Sequence, residues 1–212
     1  MKPDYFELFK QPRSAWLDTN SLKEVYLRLS SLNHPDHRPL QQNSNPAKPS
    51  CSSPDVHVPI DVLNTGFQCL SDLKKRIEHL IEVETGIPPA NIQSTPEELA
   101  NLGIKVMQYV SKADRHINSP ANIASPMDQT DRFLRGLSIS EEGEVLITTI
   151  DAEFAKLESD VQKTTLLEGG SSADQSQRAM WLKELEILFR TSSYLSRWSK
   201  VLRERQLKLT LP

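Results

Sequence analysis

Two groups of residues in one stretch of this chain are of a kind to do chemistry. His34, His37, Cys51 and His57 bring three imidazoles and a thiol into one loop region, and such donors can close a tetrahedron around zinc. Their spacing matches no standard zinc motif and no second pair of close ligands follows, so metal binding through this region is a minor reading that a metal assay would decide. The other group is the tripeptide His34-Pro35-Asp36. Taken alone it can be simple punctuation, because Asp and Pro are common turn residues. The sequence offers no paired carboxylates, no nucleophile motif and no glycine-rich phosphate loop in a strand-turn-helix setting, which argues against an enzyme.

The elements around the tripeptide say what it is doing there. "LDTNSLKEVYLRLSSLN" begins with Asp18 or Thr19 as an N-cap and carries Leu22, Val25, Tyr26, Leu29 and Leu32 at steps of three and four, which predicts an amphipathic helix of about four turns. Pro35 disfavours helical geometry at His34, so this helix stops by Asn33 and leaves the tripeptide on the following turn. The twenty residues after Asp36 hold four prolines and much Ser and Asn, a composition that predicts a loop. Ahead of this helix, "DYFELF" (residues 4 to 9) predicts a short helix that ends near Pro12. Beyond the loop, helix resumes with Pro59 near its first turn and Val62, Leu63, Phe67 and Leu70 on its face.

After a break near Ser71-Asp72, Leu73, Ile77, Leu80 and Ile81 mark another helix, and Gly86 suits its C-terminal stop. A helix follows from Ser94 or Thr95, with Pro96 early and the apolar stripe Leu99, Leu102, Val106 and Val110. Residues 117 to 128 read as a linker, and the pattern through "RFLRGLSISEEGE" is too weak to assign. Helix returns from about Val145 to Leu167, and again in the long run that starts at Gln175 and holds no glycine or proline before Pro212. No strand alternation is present, so the expected class is all-α: an N-terminal antiparallel helical hairpin carrying the tripeptide, then a C-terminal helical bundle. The boundary is expected around residues 71 to 90, which gives units of 1–75 and 76–212.

Composition narrows the function classes. The 212 residues are 37% hydrophobic, enough for one large or two small cores. A net charge of −3 with both signs interspersed leaves no global basic field, so nucleic acid is not expected as a partner. Apolar runs are broken by charge well short of the roughly 20 residues a membrane span needs, and "MKPDYFELFK" lacks a signal peptide's apolar core. These features predict a cytoplasmic protein with no membrane segment. Cys51 and Cys69 do not make a disulfide framework.

Three segments resemble the HscB-type J-domain co-chaperones, which act in iron-sulfur cluster assembly. They are "DYFELFKQPRSAWLDTNSLKEVYLRLSSLNHPD", with its opening aromatic pair, its Leu-Asp-Thr start to the second helix and the HPD; "LNTGFQCLSDLKKRIEHLIEVETG", where the family carries an asparagine, an aromatic, a leucine and then an Arg-Ala-x-x-Leu-Leu run; and "WLKELEILFRTSSYLSRWSKVLRERQL", similar in size and position to the final bundle helix. The resemblance implies a J-domain-like unit that docks on a DnaK/HscA-type chaperone through the HPD turn and the outer face of the second helix, and stimulates that partner's ATPase. In this chain Asp36 would pair with an arginine, Pro35 hold the turn and His34 brace it, with Lys23 and Arg28 supplying the basic face. It supplies no cofactor.

The chain departs from the family pattern at named places. The second helix offers only Lys23 and Arg28 where relatives carry several basic residues, Asn33 stands where an aromatic precedes the HPD, and His37 replaces a lysine. Fewer basic residues weaken steering toward an acidic chaperone surface, which leaves open a degenerate J-like interaction protein without ATPase stimulation. The resemblance also implies a client, an IscU-type cluster scaffold, held by an apolar and acidic patch on the first long helix of the C-terminal bundle. Leu102, Val106 and Val110 are the residues that could supply its apolar part, although Gln108, Ser111 and Lys112 are not acids and plain bundle core is the other reading. The stripe of Trp181, Leu182, Leu185, Leu188 and Phe189, with Trp198 and Leu202, reads as core before it reads as an assembly surface.

Overall fold

The computed structural model describes residues 3–33, 58–90, 95–119, 126–166 and 175–210, and among them every regular element is a helix. The chain divides into two compact units, Met1–Pro88 and Pro89–Pro212.

The first unit holds α1 (Tyr5–Leu8), α2 (Thr19–Leu32), α3 (Ile60–Ser71) and α4 (Leu73–Thr85). Local chemistry sets their ends. The Asp4 carboxylate accepts from the amides of Phe6 (2.9 Å) and Glu7 (3.3 Å), Asp18 from Asn20 (3.0 Å), and Asp72 from Lys75 (2.9 Å), each satisfying donors a helix start leaves open. Asp72 is extended (φ −87°, ψ 119°) and serves as both the last cap of α3 and the first of α4. Gly86 closes α4 at φ 75°, a left-handed position that a side chain would strain.

Phe6, Phe9, Leu22, Leu63, Leu70, Ile77 and Leu80 are fully enclosed and form this unit's core. Short as it is, α1 sits tightly on α3 at Gly66, where an added Cβ would lie 2.7 Å from Tyr5 Cδ1 and 2.8 Å from Phe9 Cε2. The buried Arg76, Ile77 and His79 of α4 belong to the same core. The division at Pro88 accordingly keeps all of α4 with the first unit, whereas a boundary after residue 75 would cut the helix near its start.

The second unit holds a 3₁₀ turn (Glu97–Leu99), α5 (Ala100–Asn118), α6 (Pro126–Leu166) and α7 (Gln175–Thr210). Cross-helix pairs give the directions. Lys112 of α5 bonds Glu142 of α6, and Gly136 abuts His116, so α5 and α6 are antiparallel. Gln206 meets Ser140 while Arg203 meets Asp151, so α6 and α7 are antiparallel too. This is an up-down-up bundle with Val106, Tyr109, Ile139, Ile150, Leu185, Leu195 and Leu202 inside.

The stretch that could not be assigned from its pattern, residues 132 to 144, is the continuous interior of α6, a helix of 41 residues. Its inward face is carried by Gly136 and Gly143 beside Ile139, with His116 and Tyr109 filling the space the glycines leave. An apolar period is weak there because the contact is made by residues with no side chain. No helix among the described residues is long and apolar enough to cross a membrane.

Candidate functional site

Asn33 caps the end of α2, its amide donating to Leu29 O, immediately before the HPD. His34, Pro35 and Asp36 themselves lie outside the described residues, as do His37, Cys51 and His57. The structure does describe the helices on both sides of the tripeptide. Leu22 is buried and Val25, Tyr26 and Leu29 are half-buried. Tyr26 fastens α2 to α3: its hydroxyl donates to Asn64 Oδ1 at 2.8 Å, and its ring stacks on Phe67 with centroids 4.3 Å apart and planes at 22°.

The opposite side of α2 presents Lys23, Glu24, Leu27, Arg28 and Ser31 to solvent. Lys23 and Arg28 are thus both available to a partner, but they do not make a continuous basic stripe, because Leu27, 55% exposed, and the acidic Glu24 stand on the same surface. Leu32 is a correction to the expected apolar stripe: it is 71% exposed. Ten residues on from Leu22 the helix has turned about 80° away from its buried line.

Two of the three segments that carry the family resemblance, the opening one and the one around Arg76, meet in this unit. The Tyr5 amide donates to His79 Nε2 at 3.1 Å, which places the imidazole's own proton on Nδ1. The same ring stacks on Phe6 (5.6 Å, 10°) and tilts against Tyr5 (4.8 Å, 41°). Arg76, also buried, donates from Nε to Ala15 O (2.8 Å) and from Nη1 to Leu70 O (2.6 Å), tying α4 to the loop before α2 and to the end of α3. Asp4 adds a forked pair with Arg13 Nε and Nη2 (3.0 and 2.7 Å).

A cleft of about 270 Å³ is lined by Tyr5, Thr65, Gln68, Cys69, Lys75, Glu78, His79 and Glu82. It pairs a thiol with an imidazole in name only. His79 Nε2 already accepts from Tyr5, and Cys69 Sγ lies 3.6 Å from Lys75 O, in the geometry of a thiol donating to a carbonyl. An activated cysteine needs a base free to take its proton.

In the second unit, Val106 of the expected docking residues faces inward. Val106 is 2% exposed, and Leu102 and Val110 are half-buried along the same side of α5. Val106 is bundle core, because α5 packs against both α6 and α7, and Leu102 and Val110 border that core. The apolar residues α5 shows to solvent are Ile104 (55% exposed) and Met107 (73% exposed), flanked by Lys105 and Gln108. The signal for them was in the sequence as two large apolar residues three apart and off the main stripe. The Trp181 to Leu202 stripe is also intramolecular: Leu185, Leu188 and Leu202 are buried, and Trp198 packs against Gly103 of α5, where a Cβ would be 2.9 Å from its ring.

Electrostatics mark four positions among the described residues, one of them Glu204, whose carboxyl the bond to Lys208 lowers. Burial, with Glu142 nearby, raises the Tyr109 phenol above its usual value. Burial, then Arg132 and Arg135, lower the His116 imidazole. The bond to Asp114 raises the Arg205 guanidinium still further. Among the described residues no group of His, Cys, Asp and Glu side chains is placed to hold a metal ion. No known protein family matches the chain, and no curated protein does.

Proposed function

We propose that this chain is a divergent HscB-type co-chaperone that docks on a DnaK/HscA-type ATPase through His34, Pro35 and Asp36 and the outer face of α2. In this reading it stimulates ATP hydrolysis and delivers a client, an IscU-type cluster scaffold. The observation that carries it is the meeting of two of the three resembling segments: the aromatic opening and the Arg76-to-Leu80 run share one core, through Tyr5 to His79 and Arg76 to Ala15. With Tyr26 holding α2 on α3, that core supports a fixed helix whose end adjoins the HPD. The chain contributes no catalytic group; it biases a two-state partner, so it acts only through contacts that differ between the partner's states.

The client surface in this reading is Ile104 and Met107, which replace Leu102, Val106 and Val110. The second reading, an interaction protein that no longer stimulates a chaperone, is favoured by the interrupted basic face of Lys23 and Arg28. Single-turnover ATP hydrolysis by DnaK-type chaperones of the same organism, with wild type beside Asp36→Asn, separates them. Acceleration by wild type alone supports the co-chaperone. No acceleration of any chaperone moves the function to the helical bundle.

A further inference from the structure

Helix α5 ends on Ser119, an exposed residue with extended backbone (φ −64°, ψ 125°) followed in the sequence by Pro120. The proline holds it there, since a residue before proline is driven out of the helical region. A serine or threonine followed by proline is the sequence form that proline-directed kinases take, and Ser119 itself is exposed and extended. Four such dipeptides occur: Ser53-Pro54, Thr95-Pro96, Ser119-Pro120 and Ser125-Pro126. Ser53 and Ser125 lie outside the described residues, and Thr95 is followed at once by the exposed acids Glu97 and Glu98.

Ser119 has the opposite surroundings. Arg132 of α6 lays its guanidinium across the end of α5, donating from Nη1 to Ser119 O at 2.9 Å and from Nη2 to His116 O at 3.4 Å. Arg115 stands one turn back on α5, and Arg135 is close enough to act on His116 together with Arg132. The acids nearby are Asp128 and Asp131, one turn ahead of Arg132 and Arg135 on α6, and Asp114, which is paired with Arg205.

We propose that Ser119 is a phosphorylation site for a proline-directed serine/threonine kinase and that Arg132, already bonded to the Ser119 carbonyl, holds the phosphate. Ser119 Oγ attacks the γ-phosphorus of ATP, the new O–P bond forms as the bond to the β,γ-bridging oxygen breaks, ADP leaves, and the hydroxyl proton passes to the kinase's base. The product adds a charge of about −1.5 to −2. At a bare helix C-terminus that charge is unfavourable. Here the sign reverses, because Arg132 is already bound to two neutral carbonyls at that spot and phosphate oxygens are stronger acceptors for the same guanidinium. The modification therefore fastens the α5–α6 corner and makes His116 a stronger base.

The experiment treats the full chain, and Ser119→Ala, with a purified cyclin-dependent-type kinase and Mg-ATP, maps phosphate by tandem mass spectrometry, and follows the His116 ring by NMR across pH. The expected result is label on Ser119, its loss in Ser119→Ala, and a rise of the His116 midpoint by about one unit on phosphorylation. Label confined to Ser53, Thr95 or Ser125, no label at all, or a His116 midpoint that does not move overturns the proposal.

Discussion

The Tyr109 hydroxyl donates to Gln206 Oε1 at 3.2 Å, joining residues 97 apart in the chain, while Gln206 Nε2 donates to Ser140 O (3.0 Å) and Oγ (2.7 Å). One amide thus reads both neighbours and sets the register of α5, α6 and α7 at a single level. Buried polar groups are costly unless paired, so a slip of any helix would break this network before it disturbed the apolar core. Gly143 makes the arrangement possible by leaving room on α6.

Gly143→Ala tests that relationship, because two effects oppose each other. Within a helix the change should stabilise by about 0.5–1 kcal/mol. The new Cβ, however, would meet the Tyr109 hydroxyl and lie 2.6 Å from Gln206 Oε1, and such overpacking costs about 1–3 kcal/mol. The expected outcome is net destabilisation of the bundle by about 0.5–2 kcal/mol in urea unfolding. A gain in stability would show that Tyr109 and Gln206 move aside freely.

His116 predicts a pH dependence whose sign follows from its lowered proton affinity. The folded imidazole, partly buried and facing Arg132 and Arg135, binds its proton less readily than the unfolded one. The unfolded state therefore takes up protons first on acidification. This contribution to stability is present above the ordinary imidazole value near 6.5 and is lost as pH falls through it toward the folded value. His116→Gln should flatten the dependence of unfolding free energy on pH between about 7 and 5. An unchanged slope would remove His116 as its source.

Arg76 predicts a different kind of loss. Its two bonds to Ala15 O and Leu70 O are made by a forked, buried guanidinium, and lysine cannot reproduce that fork. Both Arg76→Met and Arg76→Lys should lower stability, by about 2–4 kcal/mol, since each leaves carbonyls without their donor. Recovery of stability in Arg76→Lys would mean that charge alone, not the two-point geometry, matters there.

What could be read from the sequence was chemistry that acts locally. Asp18 and Gly86 cap helices by bonds or dihedrals confined to a few residues, and both appear where their types predict. The break at Asp72 and the stop at Asn33 are of the same kind. What could not be read depends on which neighbour arrives. Val106 and Ile104 are similar side chains two residues apart, and only the positions of α6 and α7 make one core and the other surface. Gly136 and Gly143 look like helix breakers in isolation, yet they lie within α6 because His116 and Tyr109 occupy their space.

That difference between Ile104 and Val106 yields a prediction about the proposed client surface. Ile104→Asp with Met107→Asp changes only exposed positions of α5, so stability should stay within about 0.5 kcal/mol of wild type, while binding of a purified IscU-type scaffold, read by calorimetry, should be lost. Val106→Ala should do the reverse: it empties part of a buried site and costs about 1–3 kcal/mol, but it leaves the outer face of α5 as it was and should retain binding. Exposed apolar residues need not mark a partner site, since scattered ones are ordinary on soluble proteins. The pair of variants distinguishes the cases because core damage and surface damage are measured in the same protein. If the double aspartate variant binds the scaffold as wild type does, Ile104 and Met107 are scattered surface residues and do not hold the proposed client.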